Sequence, residues 1–264
     1  MNLPHPALFV PHGAPTFALR PGAAGAALKA LASTLTQPRA IVIVSAHWDT
    51  VQPTVGFAER LETIHDFWGF PDELYSLRYP ATGCREASQQ VVEALAAAGL
   101  PAISDSERGL DHGAWVPLRL MFPDAEVPVI PLSIQSRGGP EQAFKLGRAL
   151  QPLTSQCFLV IGSGSITHNL RDFQLAWRNG GQTPAYVRQF SNWLAEHLAT
   201  RDQAALLDYR RQAPGAVQAH PSDEHLLPLY VALGAAGENA EARRVHAGID
   251  DYVIAMDAYA FQPQ

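Results

Sequence analysis

The sequence is short of sulfur, of charge and of long apolar runs, and each shortage excludes something. Two cysteines, Cys84 and Cys157, stand among 264 residues. They form no CxxC metal motif and are too few for a disulfide framework. Cys157 opens the apolar run "CFLVIG" and reads as a buried, reduced thiol. No stretch approaches the roughly 18 apolar residues that a membrane helix needs. The segment "MNLPHPALFV" lacks a basic stretch followed by a signal-type apolar core. The expectation is a soluble, cytoplasmic protein with no membrane partner. Charged residues make up only 17% of the chain, and the net charge is −6. Without a Lys/Arg run, no nucleic-acid partner is expected.

What is present suits a large core, since 47% of the residues are hydrophobic. Short apolar runs alternate with helical patterns. "ALFVP" (Ala7–Pro11), "AIVIVSA", "VPVIPLSI" (Val127–Ile134) and "CFLVIG" read as strands. The prolines of the third place it at an edge or in an irregular stretch. Helices are expected at Gly25–Leu35, Cys84–Gly99, the segment opened by Pro140, Pro184–Ala199 and Asp223–Gly237. "DYVIAMDAYAF" reads as one closing strand. The stretch from Ala58 to Gly83, rich in aromatics and prolines, reads as a long functional loop. This alternation predicts a single α/β domain over residues 1–264, its central, mostly parallel sheet flanked by helices on both sides.

The ten histidines carry the chemistry. His12 follows "ALFVP", His47 follows "AIVIVSA" and His168 follows "CFLVIGSGSIT". In open α/β sheets, ligands bind beyond the carboxyl ends of the strands. If the strands are parallel, these three imidazoles meet at one sheet edge, and His225, at a predicted helix start, can reach it. His65 and His112 lie in segments of loop character. His5, His197 and His246 read as ordinary structural residues. Imidazole is a common neutral ligand for zinc and iron. The spacing matches neither HExxH nor a zinc finger, so the fold would have to assemble a metal or acid–base site. "GSGS" is not a phosphate loop, and Ser163 and Ser165 lack the GxSxG elbow of a serine hydrolase.

"PALFVPHGAPTFAL", "AIVIVSAHWDT", "TIHDFWGFPDELYSLRYPATG", "GLDHGAWVPL", "GSGSITHNL" and "HPSDEHLLPLYVALGAA" together resemble the LigB-type class III extradiol ring-cleavage dioxygenases, in particular their 4,5-DOPA dioxygenase-like branch. The resemblance runs from Pro6 to Ala236. It departs at Ala14, where the family usually has serine. It implies a non-haem Fe(II) site with His12, His47 and His225 as ligands. Other branches use a glutamate as third ligand, and Glu224 adjoins His225, but the DOPA-type pattern selects His225. It implies His168 as the acid–base residue, His112 as a second catalytic histidine, and His65 and His220 on the substrate side. The expected partners are a small aromatic diol and O2, and the chain is compatible with a homo-oligomer. Zinc can occupy such a nitrogen site in purified protein. Two other readings use the same residues: a zinc-dependent hydrolase, and a non-enzymatic Memo-like binding protein. Of the aromatics, Trp48 is expected in packing, while Phe67, Trp68, Phe70 and Trp115 suit either packing or a ring-binding pocket. Arg78 and Arg171 are candidates to meet a substrate carboxylate.

Overall fold

The computed structural model describes residues 5–179 and 181–263. Its strands are β1 (Ala7–Pro11), β2 (Ala40–Asp49), β3 (Thr54–Gly56), β4 (Ile103–Asp105), β5 (Val129–Ile134), β6 (Phe158–Gly164), β7 (Glu241–His246), β8 (Ile249–Asp250), β9 (Ile254–Ala255) and β10 (Ala258–Gln262). Eight of them form one sheet in the order β4-β3-β5-β2-β6-β1-β10-β7. The central strands β5, β2, β6 and β1 are mutually parallel, while β3 and β10 run against their central neighbours. The mostly parallel α/β sheet is as the apolar runs predict.

Both faces of this sheet are dry, and the strands show it residue by residue. Along β2, Val42 and Val44 pack into one core while Ile41 and Ile43 pack into the other. Phe158 and Val160 against Leu159 and Ile161 repeat the alternation in β6. Two-sided burial explains why these strands read as continuous apolar runs rather than alternating ones. The first face is covered by helices Arg85–Ala97, Gly139–Thr154, Ala185–Thr200 and Leu227–Ala236. The second is covered by helices Gly22–Ser33 and His112–Met121 and by the loop around Leu61–Ala81. The Leu227–Ala236 helix is apolar on nearly every side because it is wedged between β6 and the Gly139–Thr154 helix.

Several expectations need correction. β5 is internal, flanked by β2 and β3. Its prolines are tolerated because β3 is short and pairs with it only around Val55 and Leu132. β2 continues through His47 to Asp49, past an irregularity in its pairing with β5, so His47 sits on the strand rather than after it. The "GLDHGAWVPL" segment is not loop: Asp111 caps a helix that begins at His112, its side chain accepting from the Ala114 N–H. The closing strand is broken, with a turn through Tyr252 followed by β9 and β10. The last long helix starts at Leu227, which leaves His225 in the turn before it.

That turn is pressed onto the end of β6. Ser165 N–H donates to the His225 carbonyl at 2.8 Å, and Gly164 leaves no room for a Cβ beside the same oxygen. Gly164→Ala should therefore push the His225 turn off the sheet. The expected loss is about 1–3 kcal/mol of stability, the usual scale of overpacking, read from urea denaturation, together with weaker metal binding in a titration.

Candidate metal centre

β2, β6 and β1 lie side by side and parallel, so their carboxyl ends share one edge. His12 leaves β1 there, its N–H held by the Gly164 carbonyl at 3.3 Å. Gly13 follows with a φ of +59° and turns the chain sharply. His47 comes from the end of β2, and His168 from the loop after β6. His225 is brought in by its turn and His112 by the first turn of its helix. These five histidines form the floor of a cavity of about 430 Å³.

Three ring nitrogens are aimed at one another. His47 Nε2 lies 3.1 Å from His12 Nε2 and 3.3 Å from His225 Nε2. The opposite nitrogens are held from behind. His12 Nδ1 is 3.0 Å from Ser163 Oγ. That hydroxyl already donates to the Gly113 carbonyl at 2.5 Å, so the imidazole must be the donor. His225 Nδ1 is 3.1 Å from Glu224 Oε1, and His47 Nδ1 is 3.7 Å from Asp66 Oδ2. Carboxylates only accept and the Ser163 proton is spent, so His12 and His225 carry their proton on Nδ1, and their Nε2 lone pairs face His47 Nε2.

The spacing of these nitrogens suits the donor set of a metal ion. Nitrogen ligands at about 2.0–2.1 Å, with bond angles between square and tetrahedral, stand about 3.0–3.4 Å apart. Backing each ring through Nδ1 is also how metal-binding histidines are held. Burial, first, and then the neighbouring imidazoles push His12 and His225 well below the ordinary histidine value. His47 is lowered to about 4 by burial and then by His112, against the pull of Asp111 and Asp66. All three are neutral at pH 7, the form that binds a metal.

Other groupings share the cavity. His112 also comes within ligand distance of His12 and His47, and His168 and Glu224 do so with His225. His112, however, is engaged elsewhere: its Nδ1 lies 3.0 Å from Asp66 Oδ2, and its backbone N–H donates to Asp66 Oδ1 at 2.8 Å. Burial alone would raise the Asp66 carboxyl, but the His112 hydrogen bond and charge outweigh it and hold it at about 2. Glu224 grips the back of His225 and accepts from Ser222 Oγ at 3.0 Å. His168 stacks flat on His225, the ring centroids 3.4 Å apart, and burial lowers it to about 4.

His65 and His220 are not on the cavity wall. His65 Nε2 donates to the Leu77 carbonyl at 3.1 Å and packs near Phe67 and Trp115. His220 is fully buried and donates through Nε2 to the Ile166 carbonyl at 2.8 Å, bracing the segment that carries His168. Trp48 packs under Arg108, away from the cavity. Trp115 is buried and ties its indole N–H to the Ile64 carbonyl at 3.0 Å. Phe67, Trp68 and Phe70 do line the cavity, as does Ala14. Residue-by-residue reading missed Asp66, Asp111 and the backing role of Ser163. Asp66 sits directly after a histidine in the long loop, which was its only signal. Asp111 accepts from Ser45 Oγ at 2.5 Å and from Arg108 at 2.6 Å.

Fold and site together define an α/β protein with a cluster of histidines at one sheet edge that could hold a metal ion. Residues 9–260 match the catalytic LigB subunit of aromatic ring-opening dioxygenase, and the chain belongs to this LigB family of ring-cleaving oxidoreductases. It is 41% identical over 226 residues to a 4,5-DOPA dioxygenase extradiol of Beta vulgaris, covering 85% of this chain and 83% of the relative. A protein of the same name from Escherichia coli (strain K12) is 37% identical over 234 residues, covering 87% and 84%. A crystal structure of an uncharacterized protein from Escherichia coli K12 matches with a TM-score of 0.80 at 30% identity, covering 97% of this chain and 99% of that one. No described helix is long and apolar enough to cross a membrane.

The buried neutral histidines fix an acid limit. His168 and His220 are lowered to about 4 and about 3, mainly by burial. Between the ordinary histidine value of about 6.5 and those values, the unfolded chain binds more protons than the fold. Stability of the metal-free protein should be level above about pH 7 and fall steadily below about pH 6.5. Urea midpoints across that range check this; midpoints unchanged down to about pH 5 would contradict it.

Proposed function

We propose that this chain, acting as one catalytic domain, is a non-haem Fe(II)-dependent extradiol dioxygenase. Its substrate would be a catechol, DOPA-like or a small phenolic, cleaved with O2 to a muconic semialdehyde-type product. The observation that carries this reading is the convergence of the His12, His47 and His225 Nε2 lone pairs inside a pocket of family-typical sequence. A ferrous ion held by these three would supply open positions for the two catechol oxygens and for O2, and a path for electrons between them. In the net reaction, the ring carbon–carbon bond beside one hydroxyl breaks and the O–O bond breaks. Both oxygen atoms end in the product, one at each new chain end, and the ring supplies the electrons.

The protein must hold the ring and move protons. A cavity of about 430 Å³ admits a single substituted ring. His168, neutral at pH 7, is placed to take a catechol proton and to return one later. His112 presents Nε2 to the cavity because Nδ1 is committed to Asp66. There it can accept from a substrate hydroxyl, and the carboxylate behind it fixes the orientation of the ring. His65 and His220 would act by positioning the loops beside the site. Three neutral ligands would leave the full charge of a bound ion available to polarise a catechol hydroxyl.

Anaerobic loading with Fe(II), then addition of O2 and a panel of catechols, should give oxygen uptake and a yellow product. Hydrolysis with zinc and no oxygen uptake would sink the reading. His47→Ala should lose the metal. His168→Ala should keep it and turn over about 10²–10⁴-fold more slowly. Full activity in His168→Ala would remove that residue from the mechanism.

A further inference from the structure

The cavity lining carries a one-sided charge pattern. Among the described residues that line it, the only charged side chains besides histidine are the carboxylates of Asp66 and Glu224. No arginine or lysine is on the wall. Arg78 is turned into its own loop, donating to the Tyr75 and Leu77 carbonyls at 2.7 and 2.8 Å. Arg108 is paired with Asp111 and covers Trp48, and Arg171 does not line the cavity. Neither of the two arginines considered from sequence meets a ligand here. Apart from Ser165 and Gln174, the rest of the wall is apolar and includes Phe67, Trp68, Phe70, Leu170 and Phe173. Trp68 is 85% exposed and Leu170 56% exposed. A tryptophan this open gains little from packing, but it presents a π-face to whatever enters.

Aromatic faces and carboxylates attract cations, and a wall without a basic group gives a ligand carboxylate no partner. The geometry points to selectivity for the end of the substrate remote from the ring. The preferred catechols carry an ammonium side chain, followed by neutral ones and last by those ending in a carboxylate. Trp68 is a specificity-determining residue for that cationic end. This rests on the catechol reading above and refines it.

The test uses Fe(II)-loaded enzyme and three catechols of matched chain length ending in an ammonium, a methyl or a carboxylate group. kcat/KM should fall in that order, with the ammonium compound ahead of the carboxylate by roughly fivefold or more. Trp68→Ala should narrow the ammonium-to-methyl ratio by about two- to fivefold, chiefly through KM. Gln174→Arg, which adds a cation to an exposed position on the wall, should raise the carboxylate compound relative to the other two. A carboxylate compound cleaved as well as the methyl one, or a ratio unmoved by Trp68→Ala, overturns the inference while leaving ring cleavage intact. If none of the three is cleaved, the catechol reading fails instead. Calorimetric binding of the same compounds to the loaded protein then decides the charge order by itself.

Discussion

Three imidazole lone pairs pointed at each other across 3.1 and 3.3 Å are the constraint on which the rest of the site depends. Left to themselves, neutral rings would rotate or exchange tautomers so that one N–H met another's lone pair. Here the protein forbids it. Glu224 and Asp66 can only accept, and Ser163 has spent its proton on the Gly113 carbonyl. Ser163 and Glu224 draw the ring protons of His12 and His225 to Nδ1. A cation at the shared point would relieve the arrangement that results. Such local conflict is what a functional site looks like in an otherwise consistent structure.

Holding that arrangement requires a rigid frame, and the frame is the sheet edge. Ser163 lies on β6, between the strands that deliver His12 and His47. The same strand continues into Gly164 and Ser165, which seat the His225 turn. One strand therefore backs one ligand and docks another. The long loop contributes Asp66, which braces His112 by two hydrogen bonds and lies beside His47. Trp115 fastens that loop in turn through the Ile64 carbonyl. Its burial, with the fully buried His220 on the other flank, explains why aromatic and histidine residues near the site do not all touch a ligand.

The sheet was legible because two-sided burial leaves a clear mark: runs such as "AIVIV" have no solvent face to interrupt them. His12, His47 and His168 were legible as a group because parallel strands must end together. The boundaries were harder. The helix from His112 to Met121 contains Gly113 and Pro117, residues that argue for a loop, and it is held instead by the Asp111 cap and by burial of its apolar face. The internal position of β5 was hidden by prolines that a short neighbour tolerates. Of the carboxylates behind the rings, Glu224 was visible only as a neighbour of His225, and the role of Asp66 was not legible. Asp66 and His112 are 46 residues apart in the chain, and neither sequence segment hints at the other. The ligand set came from motif resemblance, since the spacing of the histidines carries no geometry by itself.

The same logic bears on which metal the site would use. Three neutral imidazoles make a donor set that zinc and copper bind more tightly than ferrous iron does. Affinity at the histidines therefore cannot select iron. What distinguishes the site for oxygen chemistry is its surroundings. His168, lowered by burial, is neutral at pH 7, and His112 is held by Asp66 through Nδ1. Phe67, Phe70 and Phe173 give the cavity wall apolar area suited to a flat ring. On the reading proposed above, that wall, more than the identity of the ligands, would favour ring cleavage over hydrolysis.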